Sequence, residues 1–203
     1  MKENKAINWP NLLTLTRIFL IPLFVIVFYL PVRWSHLATA LIFALASFTD
    51  WLDGYLARYL KQSTQLGAFL DPVADKLIVS IALVLIVAEP TFQFISLPSA
   101  IMVLPSAVIA VPAAIIVARE LLVSALREWM AELGNKKTLA VSRIAKIKTT
   151  VQMGALVILL YCNHTDYTTL VLVGYLLLYL AAFLTVWSML LYLKIAWKQL
   201  RNA

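Results

Sequence analysis

The sequence predicts an all-α integral membrane protein of six transmembrane helices with both termini in the cytoplasm. Three observations carry that prediction. Apolar residues make up 63% of the 203 positions and charged residues only 13%, with a mean hydropathy of +0.89; soluble domains run at roughly 45–50% apolar and about 25% charged. The apolar residues fall in runs close to the ~20 residues a spanning helix needs. Basic residues collect at alternate ends of those runs. Together these exclude a soluble enzyme, a disordered chain and a fibrous repeat. At this length residues 1–203 read as a single transmembrane domain.

Taken in order, spans are expected at roughly 12–30, 36–58, 70–88, 112–129, 149–164 and 168–193. Long apolar runs of this kind read as helices, since they lack the alternation of barrel strands. Span one follows Lys2 and Lys5 and carries Arg17. No small-residue cleavage site closes it, so a cleaved leader is not expected. Arg58 and Lys61 end span two. Lys136, Lys137, Arg143, Lys146 and Lys148 lie between spans four and five, and Lys194, Lys198 and Arg201 close span six. The opposite connections hold only Arg33, which places both termini inside. The net charge of +7 is therefore read as topology, with no nucleic-acid partner. His36 and His164 fall on the outer side and read as interfacial residues; the single Cys162 permits no internal disulfide.

An internal repeat precedes span four. Leu97–Val103, Leu104–Ala110 and Val111–Val117 read LPSAIMV, LPSAVIA and VPAAIIV, with Pro98, Pro105 and Pro112 in register. Continuous helix from Leu97 to Trp129 would be about 50 Å long, more than one span requires. Span four is therefore expected to start near Pro112, since proline suits a first helical turn. The earlier blocks are expected to form an outer loop or a kinked extension.

The chemistry is carried by charges inside apolar sequence. Asp50, Asp53, Asp71 and Asp75 are four of the ten acids in the chain, all near the cytoplasmic ends of spans two and three. Acids at such depth usually mark a function. Asp50 and Asp53 are spaced i,i+3, and Asp71 and Asp75 i,i+4, so each pair shares a helix face. On antiparallel neighbours the four carboxylates converge, and like charges so close need cations. Oxygen-only ligands favour Mg²⁺ or Mn²⁺ over zinc, and four carboxylates suit two divalent ions and in-line attack on phosphorus. Gly54, Ala57 and Gly67 leave helix surface bare for close approach. Arg58 offers a fixed cation for a phosphate, and Thr64 a hydroxyl. The plainer reading, acids ion-paired at helix ends, leaves at least one unmatched, because only Arg58, Lys61 and Lys76 are local cations.

The run Asp50-Trp51-Leu52-Asp53-Gly54-Tyr55-Leu56-Ala57-Arg58, then Gly67, Asp71 and Asp75, resembles the signature of the CDP-alcohol phosphotransferases, D-x-x-D-G-x-x-A-R-x8-G-x-x-x-D-x-x-x-D, at all eight fixed positions. The resemblance implies the fold of that family, a homodimer and two divalent metals. It also implies transfer of a substituted phosphate from a CDP-linked donor to an alcohol, with release of CMP. By resemblance Asp50, Asp53 and Asp71 are metal ligands. Asp75 takes part in the metal site and acts as general base. Gly54, Ala57, Arg58 and Gly67 border the CDP group.

A narrower likeness covers most of the chain outside the proline blocks. Asn11-Leu12-Leu13-Thr14-Leu15-Thr16-Arg17 with Ile21-Pro22, Ala118-Arg119-Glu120, the run Ala125–Gly134, and Lys146-Ile147-Lys148-Thr149-Thr150 resemble the bacterial branch that moves a phosphatidyl group from CDP-diacylglycerol to sn-glycerol 3-phosphate. By resemblance Asn11, Thr14 and Arg17 line the nucleotide and phosphate side. Arg119, Lys146 and Lys148, with Thr64, bind glycerol 3-phosphate. Ala145 departs from the glycine of that pattern, and the proline blocks lengthen the outer approach to span four.

The expected function is that transfer, at a site facing the cytoplasm in a bacterial inner membrane, with membrane lipid as surroundings. Acceptors such as phosphatidylglycerol or inositol phosphate are the alternatives within the family. A divalent-cation transporter is the alternative outside it, disfavoured because only Glu89 and Asp166 are acids of the outer side. Arg119 beside Glu120 could instead form an internal ion pair, and Lys136 and Lys137 could simply meet anionic headgroups.

Overall fold

In lipid every backbone polar group needs an internal partner, and a helix supplies one from its own segment. The computed structural model describes residues 9–60, 65–97, 100–132, 143–162 and 168–200. Among them the chain forms α1 (Trp9–Phe28), α2 (Ser35–Leu60), α3 (Gln65–Ala88), α4 (Ala107–Glu132), α5 (Arg143–Tyr161) and α6 (Thr168–Leu200). Each expected span thus has its helix, all of them longer than expected. By length and composition, Ala107–Met130 and Thr169–Lys194 can each cross a membrane, and Leu15–Phe28, Ser35–Thr49 and Ile147–Tyr161 are shorter apolar segments.

The chain divides into two compact units: Met1–Leu85 with Leu160–Asn163, and Ile86–Leu159 with His164–Ala203. In the first, α1 packs on α2, and Phe24 meets Phe43 with ring centroids 6.1 Å apart. The buried stripe of α1 runs Arg17, Ile21, Phe24, Val27 and that of α2 Ser35, Thr39, Phe43, Ala46, while Phe19, Ile26, Leu41 and Leu45 point outward. Both stripes keep a helical period, with large apolar residues on the outer face, as a lipid-facing helix requires. Thr39, Ser47 and Thr49 donate their hydroxyls to carbonyls of the preceding turn, at 2.7–2.8 Å, so none enters the apolar phase unsatisfied.

In the second unit α4 packs on α6. Gly174 admits α5: a Cβ there would lie 2.7 Å from Leu159 Cδ2. Small residues at such a crossing let helices approach where no hydrophobic force drives them together. The buried face of α6 changes along its length, from Val171, Tyr175, Leu178 and Ala181 to Thr185, Ser188 and Tyr192.

Two expectations need correction before α4. The connection from α3 contains a short 3-10 turn, Pro90–Gln93, and a small antiparallel hairpin, β1 (Phe94–Leu97) with β2 (Ala100–Val103). The proline blocks were expected to form a loop or a kinked extension, and the hairpin pairs part of the first block instead. Helix α4 begins at Ala107, which puts Pro112 inside it. Proline has no N–H for the carbonyl four residues earlier, here that of Val108. That carbonyl accepts instead from the Tyr179 hydroxyl of α6, at 2.8 Å. The displaced donor is replaced from a neighbouring helix, so the helix can start a turn and a half earlier than the proline suggested. Tyr175, one turn away on α6, donates to the carbonyl of Phe92 at the root of the hairpin.

Candidate active site

The first unit carries the acids. Asp50 and Asp53 stand on α2, Asp71 and Asp75 on α3. On α2 they continue the period of the buried stripe Thr39, Phe43, Ala46; on α3 they share the period of Ala74, Ile78 and Ala82. Their depths match. Asp50 lies ten residues before the end of α2 at Leu60, and Asp75 ten residues after the start of α3 at Gln65; Asp53 and Asp71 lie seven and six from the same ends. At 1.5 Å per residue the pairs stand about 15 Å and about 10 Å along their helices from the connection. For Asp50, Asp53, Asp71, Asn11, Thr14, Gly54, Ala57, Arg58, Gly67 and Lys146 only the helical backbone belongs to the described residues, and Thr64 lies outside them. Asp75 is half-buried, and Arg17 is buried on the inner face of α1. The donor set is carboxylate oxygen alone, and His36 stands fourteen positions from Asp50 at the opposite end of α2. That chemistry fits a hard divalent cation.

The second unit carries a cation cluster. Arg119 sits on the buried stripe of α4 between Ile116 and Val123. Its Nη1 donates to Glu120 Oε1 at 3.1 Å, and its Nη2 to Ser188 Oγ of α6, also at 3.1 Å. The guanidinium carbon lies 5.9 Å from the ring centroid of Tyr192, within the range of cation–π attraction. Ser188 donates its own hydroxyl to the carbonyl of Thr185. Lys148 of α5 donates from Nζ to the same Glu120 oxygen. Lys148 has no exposed side-chain surface and Arg119 only 7%. Buried charges persist when paired and hydrogen-bonded, and Glu120 supplies that pairing for both. The ion pair of Arg119 with Glu120 is therefore present. It leaves the guanidinium only partly used, since Nε is buried without a hydrogen-bond partner.

Arg119 and Lys148 were legible as lone cations in apolar sequence. Thr185, Ser188 and Tyr192 were not singled out, although their i, i+3, i+7 spacing in an otherwise apolar run marks one polar stripe. Gln152, one turn after Lys148, is buried and its Oε1 has no hydrogen-bond partner; a lone amide in apolar sequence is its only signal.

Comparison with known proteins adds the following. The family model described as CDP-alcohol phosphatidyltransferase matches residues 7–187. A CDP-diacylglycerol–glycerol-3-phosphate 3-phosphatidyltransferase of Yersinia enterocolitica is 50% identical over 194 residues, covering 96% of this chain and 97% of the relative. Relatives of the same name from Pseudomonas fluorescens and Escherichia coli K12 are 52% and 51% identical, over 96% and 93% of this chain and 93% and 94% of their own lengths.

Proposed function

The chain belongs to the CDP-alcohol phosphatidyltransferase family, and from that premise we propose that it transfers the phosphatidyl group of CDP-diacylglycerol to sn-glycerol 3-phosphate, giving phosphatidylglycerophosphate and CMP. The observation that carries this reading is the near-complete coverage of relatives that share one name at about half identity. The buried Arg119 and Lys148 favour a small anionic acceptor over a lipid alcohol, because a lipid acceptor gives two buried cations less to hold.

Each residue has a role in this reading. Asn11, Thr14, Arg17, Gly54, Ala57, Arg58 and Gly67 take the donor, the small residues by close backbone approach and the arginines by charge. Arg119, Lys146 and Lys148, with Thr64, take the phosphate of the acceptor. Asp50, Asp53, Asp71 and Asp75 would hold two divalent ions, Mg²⁺ or Mn²⁺, which supply charge neutralisation at the diphosphate. Asp75 accepts the proton of the free primary hydroxyl as general base. The oxygen forms its bond to the phosphorus that carries the diacylglycerol group. The bond from that phosphorus to the oxygen bridging to CMP breaks, and CMP leaves with the electron pair. Arg58 offsets charge on the leaving phosphate.

The enzyme works as a homodimer in the bacterial inner membrane, with the site open to the cytoplasm. The test is CMP release by detergent-purified protein given CDP-diacylglycerol and Mg²⁺, with and without glycerol 3-phosphate. Release that needs both substrates is the expected result. Release only with phosphatidylglycerol or inositol phosphate would replace the acceptor, and no release from folded protein with any acceptor would overturn the reaction.

A further inference from the structure

The cation cluster contains its own anion. A single oxygen of Glu120 accepts from both Arg119 and Lys148, the position that one oxygen of a bound phosphate would take between the same two donors. Glu120 is also the least enclosed of the three, with 20% of its side chain exposed against 7% and 0%, so it has room to turn outward. The guanidinium is held in place independently of it, by Ser188 and by the Tyr192 ring, and keeps a buried Nε without a hydrogen-bond partner.

Charge balance points the same way. The two cations and one carboxylate sum to +1. A phosphate monoester near neutral pH carries roughly −1.5 to −2. Added beside Glu120, it would set a carboxylate against a phosphate at contact distance. With Glu120 turned out, that repulsion is gone and the two cations meet the dianion directly. We infer that Glu120 is a built-in stand-in for the acceptor's phosphate, bridging Arg119 and Lys148 while the pocket is empty and giving up its place when the anion binds. The inference rests on the reading of Arg119 and Lys148 as acceptor ligands. In this role Glu120 is a positioning residue. It keeps two buried cations neutralised between turnovers, and it weakens anion binding by competing for the same donors.

The experiment compares wild type, Glu120→Gln, Glu120→Asp and Arg119→Gln. It reads kcat, the apparent KM for each substrate, inhibition by inorganic phosphate, and thermal melting in detergent with and without phosphate. In Glu120→Gln the KM for glycerol 3-phosphate and the inhibition constant of inorganic phosphate fall about tenfold, the scale of losing one charge-assisted competitor. The KM for CDP-diacylglycerol stays put. Glu120→Asp moves the same way by less. Without phosphate Glu120→Gln melts below wild type, and phosphate raises its melting temperature more than that of wild type. A variant that folds only in phosphate buffer also supports the stand-in.

Arg119→Gln separates the two readings. If it raises the KM for glycerol 3-phosphate while Glu120→Gln raises it too or leaves it unchanged, the stand-in is overturned and the pocket survives. If Arg119→Gln leaves that KM unchanged, the pocket reading fails and the stand-in with it. Failure of both Glu120 variants to fold even in phosphate overturns the stand-in, because phosphate should replace the missing carboxylate.

Discussion

The aspartates of α2 and α3 stand in two helix-local pairs, whereas Arg119, Glu120, Lys148 and Ser188 are brought together from α4, α5 and α6 across separations of 28 and 69 residues. The acids are like charges at helical spacing, with Arg58, Lys61 and Lys76 as the cations nearest to them in sequence. The cation cluster carries an internal carboxylate that neutralises it in part. The difference separates two tasks. In the proposed reading the acids hold metal ions and act on the reacting phosphorus, so their changes should fall on turnover. In the same reading the cation cluster exchanges one anion for another, so its changes should fall on affinity.

The largest effect expected is at the acids. Asp71→Asn should lower kcat by more than about a hundredfold, since even partners that only orient metal ligands are worth about 10–100-fold. Its melting temperature should stay near wild type. Near-normal turnover would break the division of labour and remove the two-metal assignment. Next comes Lys146→Ala, which should raise the apparent KM for glycerol 3-phosphate by about tenfold, the scale of one hydrogen bond to a charged group, with little change in kcat. A KM equal to wild type would take Lys146 out of the pocket. The smallest effect expected is on the scaffold of the cation half. Tyr179→Phe leaves the Val108 carbonyl without its donor and should lower stability by about 1 kcal/mol, read as a lower melting temperature with KM unaltered. No change in melting would mean that another donor takes over.

The candidate acid site was legible in the sequence because the acids' spacing is local. Asp50, Asp53, Asp71 and Asp75 announce themselves by spacing on single helices, with no tertiary knowledge needed. The helices were legible for a similar reason: lipid forces an apolar run to bond within itself. What resisted was nonlocal. The bridging role of Glu120 and the contact of Ser188 with Arg119 depend on which faces of α4, α5 and α6 meet, and no spacing within one helix encodes that. The start of α4 was misplaced for the same cause. Pro112 is a sound signal for a first turn unless a hydroxyl from elsewhere serves the carbonyl it strands, and Tyr179 lies 71 residues from Val108.

The proline blocks carry a further consequence. In LPSAIMV the last four residues are strand β2, in LPSAVIA the last four open α4, and VPAAIIV lies wholly within that helix. Three copies of nearly one phrase are thus read in different ways, by what each meets: a partner strand, a helix start, or a helix interior. Composition alone does not set the outcome here, so a chimera that exchanged the first and third blocks should keep both the hairpin and the helix. Such a segment stores no fold of its own; its conformation is borrowed from its neighbours, and it would make a poor marker of structure in any protein where it recurs.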